Sequence, residues 1–145
     1  MASTIKWTAT STDETIRSLT SAIASSAYVG VSSAILNGTS GLYQYAAVEF
    51  NSTLVNAAAG GFVDVWLYPS LDGTNYADST GKPLQTPSLM CSIPLDTTAG
   101  SAQRVIVSNI AIPPMNFKMD MRNMTGSSMS SGTTLRMVRY YEQVV

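Results

Sequence analysis

Three features of the chain predict an all-β protein built as an antiparallel sandwich or barrel. Apolar residues alternate with polar ones over several runs of strand length. Gly, Pro and Asn punctuate the gaps between those runs. The 145 residues suffice for one domain with a sizeable core, and are too few for two.

The pattern is weakest at the start. Thr12 or Asp13 is placed to cap a helix in which Ile16, Leu19 and Ile23 share a face. Ser, Thr and Ala dominate the same stretch, however. We read residues 1–27 as an extended arm or partly ordered segment, and 28–145 as a single β-sandwich domain opening with a strand near Tyr28 to Leu36. An arm that cannot bury itself in its own domain finds a partner.

The later elements are plainer. In GLYQYAAVEFNSTL, Ala46, Val48, Phe50 and Leu54 recur on one face, with Glu49 and Thr53 on the other. NAAAGG follows, and its paired glycines permit a tight reversal. FVDVWLY sets Val63, Val65 and Leu67 against Asp64, Trp66 and Tyr68. RVIVSNIAI supplies β-branched residues, and Pro113-Pro114 ends that strand and stiffens the lead into the next. NFKMDMRN alternates cleanly, with Phe117, Met119 and Met121 inward and Lys118, Asp120 and Arg122 outward. TLRMVRYYEQVV is a strand with interleaved arginines.

Charged residues are only 12% of the chain, about half the usual share. A free monomer relies on surface charge to resist association, so this composition suits a surface covered by neighbours. Acids dominate up to Gly100 and bases after it, where Arg104, Lys118, Arg122, Arg136 and Arg139 face only Asp120 and Glu142. Such an asymmetry favours packing of one subunit on the next, or reflects solvated strand faces. No basic run is strong enough to imply nucleic acid.

The chain contains no histidine, which removes serine triads, Cys-His dyads and most zinc sites. Its acids are scattered singly and no glycine-rich phosphate loop occurs, so no enzyme and no cofactor is expected. The lone Cys91 lies in the apolar stretch SLMCSIPL and reads as a buried, inert thiol. The N-terminus lacks the layout of a signal peptide and no apolar run approaches a membrane span of roughly 20 residues, so we expect a cytoplasmic product with no membrane partner. The sequons at Asn37, Asn51 and Asn123 are accordingly expected to be silent.

The stretch VWLYPSLDGTNYADSTG admits three readings. Asp72-Gly73 is a strong turn signal, since Gly tolerates positive φ and Asp bonds its own backbone. Asp72, Asn75 and Asp78 loosely resemble the oxygen spacing of a calcium loop. Trp66, Tyr68 and Tyr76, with Asp72 and Asn75 for hydroxyls, would form a sugar-stacking loop. A plain turn near a subunit contact is the reading we favour.

In order along the chain, TIRSLTSAIASSAYVGVSSAIL, LYQYAAVEF, VDVWLYPSLDGTNYAD and IPPMNFKMDMRNMTG resemble small virion proteins of tailed bacteriophages, the group that includes capsid decoration (cement) proteins. The resemblance spans nearly the whole chain, and its motifs are turns and strands. It implies a jelly-roll-like sandwich on the outer surface of the head, commonly a homotrimer that contacts the major capsid protein and bridges capsomers. On that reading the arm residues Ser3, Thr4, Ile5, Lys6, Trp7, Ile16 and Arg17, with Lys118, Arg122, Arg136 and Arg139, contact the capsid or the next subunit. Two rivals remain: a carbohydrate- or receptor-binding module of a fibre, and a neck or tail component.

Overall fold

Alternating sequence becomes two antiparallel sheets in the computed structural model, which describes residues 5–9, 13–38, 42–55, 57–76, 88–97 and 100–144. The strands are β1 (Ile5–Ala9), β2 (Glu14–Ser18), β3 (Tyr45–Val55), β4 (Phe62–Ser70), β5 (Ser88–Pro94), β6 (Ser101–Ala111), β7 (Asn116–Met124) and β8 (Thr134–Val144). No helix occurs among the described residues. The larger sheet runs β1-β8-β3-β6, with β2 also paired to β8, and the smaller runs β5-β4-β7. The protein is an all-β antiparallel sandwich whose named strands divide five and three.

Period-two patterning places the core. Ala46, Val48 and Phe50 of β3 face Val63, Val65 and Leu67 of β4, together with Ile93, Ile110, Phe117, Met119, Met121, Leu135 and Met137. These side chains come from both sheets and form one cluster, so their burial is the main force joining the layers.

Residues 5–9 and 14–18 are paired strands where an extended arm was expected. β1 pairs with the C-terminal half of β8, Ile5 opposite Val144 and Trp7 opposite Glu142. β2 pairs with the other half, Glu14 opposite Met137 and Ser18 opposite Thr134, with a bulge between Thr15 and Arg17. The helix allowed by Ile16, Leu19 and Ile23 does not form; Ile16 packs against the core instead, and Leu19 is buried in it. β8 has its other edge on β3, so it lies inside the sheet for most of its length.

The strand expected near Tyr28 to Leu36 exists only in outline. Residues 26–35 run along β7 as isolated bridges, Tyr28 to Arg122 and Ile35 to Phe117. Their amides are satisfied one by one: Ser26 N–H donates to Asn123 O, Val29 N–H to Met121 O, Ser32 N–H to Met119 O and Ile35 N–H to Phe117 O. Side chains fill the gaps in this irregular ladder. The Asp120 carboxylate accepts from Gly30 N–H at 2.9 Å, and Met119 N–H donates to Ser32 Oγ at 3.0 Å.

Asn123 anchors the segment's start. Fully buried, it shares its Nδ2 hydrogens among the carbonyls of Ile23, Ala24 and Ser127 at 2.8–3.1 Å. Its Oδ1 accepts from the Thr125 amide and hydroxyl. The sequons at Asn123 and Asn37 are therefore closed to modification in the folded chain, since both side chains are wholly buried; Asn51 is exposed.

Two acids expected on solvated faces are buried. Asp64 and Asp120 do alternate with core residues, but each retains under a tenth of its surface. Asp64 accepts a hydrogen bond from the Ser92 hydroxyl. Burial raises the Asp120 carboxyl above its usual range, against bonds from the Met121, Gly30 and Val29 amides and the nearby Arg17 charge. Cys91 is half-buried in β5, and burial with the neighbouring Asp64 charge pushes its thiol up to about 11, which keeps it protonated and inert.

Replacing Asn123→Ala leaves several buried backbone groups without partners, and we expect a loss of about 2–4 kcal/mol by urea denaturation. Asp120 imposes a second, signed expectation. A carboxyl raised in the folded state binds its proton more readily there than in the unfolded chain, so its stability cost is complete above the folded value and absent below the ordinary 3.8. Denaturation of wild type and Asp120→Asn across acidic pH should show wild type gaining relative to the variant as pH falls through that window.

A candidate docking end

Loops 36–38, 70–76 and 113–116 meet at one end of the sandwich, and two asparagines join them. Asn37 donates from Nδ2 to Tyr43 O at 3.0 Å and Pro113 O at 2.7 Å, and its Oδ1 accepts from Tyr43 N–H. Asn116, the first residue of β7, accepts the amides of Asn37 and Gly38 on its Oδ1 at 3.0 and 2.9 Å. On its other side it meets Gly73, where a Cβ would fall 2.6 Å from Asn116 Nδ2. Gly73 also has φ +71°, so the position requires glycine for both space and conformation.

The Asp72-Gly73 stretch is a turn that closes on itself. Asp72 Oδ1 accepts from Asn75 N–H at 2.7 Å, Thr74 N–H at 2.8 Å and the Ser70 hydroxyl at 2.9 Å, while Oδ2 accepts from Asn75 Nδ2. Those bonds, the Asn75 amide foremost, hold the carboxyl far below the usual carboxylate range. Oxygens committed in this way are poor cation ligands. Asp78 lies outside the described residues, and among the described residues no group of acids or cysteine is arranged to hold a metal.

This turn presents Leu71 to solvent at 93% exposure. Leu36 and Leu42, on the loops flanking Asn37, are 53% and 61% exposed. The sandwich end thus carries three protruding leucines on backbone that is fixed by side-chain hydrogen bonds.

The sugar-stacking loop does not assemble as expected. Tyr68 is 2% exposed and has no face to offer. Trp66 is half-buried, and its indole N–H is enclosed without a hydrogen-bond partner. Tyr76 is half-buried beneath Lys118, whose ammonium lies 4.5 Å from the ring centroid, and its hydroxyl donates to Gly73 O. Of the five residues, Asp72, Asn75 and Tyr76 share the loop and brace it.

Nor do the basic residues form one contact face. Lys118 and Arg122 lie on the small sheet, with Arg122 over the Tyr28 ring and close to Ser26 O. Arg136 is on the outer face of the large sheet, paired with Asp13 and 3.7 Å from Glu49, which also binds Arg104 at 2.7 Å. Arg139 is not outward: it shares the phase of Leu135 and Met137 and is buried. Its guanidinium binds Glu14 at 2.6 Å and Leu36 O at 2.7 Å, and lies over Tyr43. Arg17 is spent on Val29 O at 3.1 Å. Ile5, Lys6 and Trp7 are ladder residues of β1, and Ser3 and Thr4 lie outside the described residues.

The leucine end had one sequence signal, the Asp-Gly turn, but periodicity says nothing about loop residues. No family model matches the chain, and no curated protein is found to resemble it.

If Asp72 braces the loop, Asp72→Ala should release the Thr74 and Asn75 amides. Native-state hydrogen exchange at those amides is expected to accelerate sharply, while amides in β4 and β7 keep their protection.

Proposed function

We propose that this chain is a structural virion protein that decorates the outside of a phage head, without catalysis or a cofactor, and clamps neighbouring capsomers. The observation that carries the reading is Leu71, an almost fully exposed apolar side chain on a turn locked by Asp72, with the exposed Leu36 and Leu42 on the neighbouring loops. Exposed apolar groups on ordered backbone are what a docking surface offers, because little entropy is lost when they are buried.

The strand order supports the same reading. With residues 26–35 counted as the strand beside β7, the order is β2-β8-β3-β6 over 26–35-β7-β4-β5. We take this as the jelly-roll connectivity that the resemblance to decoration proteins implies. The partners on this proposal are the major capsid protein and two further copies of the chain. A clamp that binds only the assembled shell stabilises it by linkage, and repeated copies add avidity to modest single contacts.

Deleting the N-terminus is a poor test, since it strips β1 and β2 from β8. Leu71→Asp is cleaner, because the side chain it changes is in solvent. Mixed with undecorated heads and sedimented, wild type should bind, and the variant should bind at least about tenfold more weakly at unchanged melting temperature. Equal binding by the variant removes the docking role of this end. Light scattering of the purified protein should give a trimer; a larger ring moves the assignment to the neck or tail, and a strict monomer undercuts the trimeric clamp.

A further inference from the structure

A groove of about 610 Å³ opens beside the docking loops, lined by Leu42, Tyr43, Gln44, Tyr45, Pro114 and Glu142 among others. Its size falls within the range of small-molecule sites. Its two tyrosines are braced from within the protein. Tyr43 packs at 6.3 Å against Tyr141 and lies under the Arg139 guanidinium, 5.0 Å from its ring centroid. Tyr45 stacks on Tyr140 with centroids 5.9 Å apart and planes 25° from parallel.

That stack is itself held in place. The Tyr140 hydroxyl reaches across β3 to β6, accepting Asn109 N–H and donating to Asn109 Oδ1, both at 2.8 Å. Asn109 has φ 59° and occupies a bulge, since Ala46 pairs with Ile110 but Val48 pairs with Val107. A non-glycine residue in the left-handed region is mildly strained, and such strain collects where geometry serves a site. Here it sets the hydroxyl that positions Tyr140, which in turn backs Tyr45.

Polar residues line the groove together with the rings. Gln44 is exposed while its backbone is fixed, its N–H bonded to Tyr140 O and its C=O accepting from Ile112 N–H. Glu142 supplies a carboxylate to the same groove. Among the described lining residues the formal charge is acidic, which disfavours phosphates and nucleotides. The groove is open rather than a closed aromatic box, which disfavours a quaternary ammonium ion.

We propose that this groove binds a neutral pyranose sugar, stacked on Tyr45 and Tyr43 with its hydroxyls on Glu142 and Gln44. The site is distinct from the Trp66–Tyr76 loop; it shares Leu42 with the docking end but not Leu71, on which the docking test rests.

The test is saturation-transfer NMR on the full chain with methyl α-D-glucopyranoside, methyl β-D-galactopyranoside and N-acetyl-D-glucosamine, and with choline as the cationic control. At least one sugar should receive saturation, with a dissociation constant on the order of 1 mM. Tyr45→Ala should weaken it at least about tenfold. Gln44→Ala, at an exposed side chain that leaves the fold intact, should weaken it a few-fold. Tyr140→Phe, which keeps the ring and removes the hydroxyl's bonds to Asn109, should weaken binding without abolishing it, marking Tyr140 as a positioning residue. The proposal is overturned by silence from all three sugars, by binding indifferent to Tyr45→Ala and Gln44→Ala, or by a response to choline alone. None of those results alters sedimentation with heads, so this site and the docking end fail independently.

Discussion

The outer edge of β7 is the constraint on which the rest of the sandwich depends. β7 is buried on its core face, and its edge groups need partners out of water. The chain meets that need with residues 26–35, half of them Ser or Ala. A segment of that kind does not hold a regular ladder, so side chains complete it: Asn123 at one end, Asp120 and Ser32 in the middle, Asn37 and Asn116 at the other. The result covers the edge that would otherwise invite another strand. It also sets the path into loop 36–38, and so the place where Leu36 leaves the protein.

Arg139 ties that path to the large sheet. It reaches from β8 to Glu14 on β2 and to Leu36 O, joining three parts of the chain distant in sequence. A buried ion pair contributes little net stability over apolar packing, but breaking one is costly because a charge is left unsatisfied. Its role is thus geometric: it fixes where the loop sits relative to the sheet. Tyr43, beneath the same guanidinium, inherits the position, and the tyrosine groove begins there.

Periodicity made most of the fold legible and misjudged its coverings. The runs around Ala46, Val63, Phe117 and Leu135 became strands because alternation reports which side chains share a face. It does not report whether the opposite face is solvated: Asp64, Tyr68 and Asp120 alternate with core residues and are buried all the same. Arg139 shares one phase with Leu135 and Met137, so its burial follows from the same alternation. β2 was illegible for a different reason, and of residues 26–35 the strand near Tyr28 to Leu36 was legible but not its breaks. Their partners are carbonyls and carboxamides of β7 and β8, and no local pattern encodes a partner about a hundred residues away. The groove was hidden likewise, because it needs Tyr45 beside Tyr140 and a bulge at Asn109 that only strand register reveals.

The low charge takes on a sharper meaning once the pairings are known. Arg17, Arg104, Lys118, Arg122, Arg136 and Arg139 each engage a carbonyl, a carboxylate or a ring of their own chain. Arg104, Arg136 and Arg139, paired with carboxylates, lend little to long-range steering of a partner. They also leave the surface with less of the charge repulsion that keeps proteins apart. What projects instead is leucine, at 53%, 61% and 93% exposure, on turns that side-chain bonds hold still. An interface built so relies on shape and apolar contact, and is expected to depend weakly on salt. On the proposed decoration role, such a surface suits a partner that is already concentrated and repetitive, where slow encounter costs nothing and avidity holds each copy.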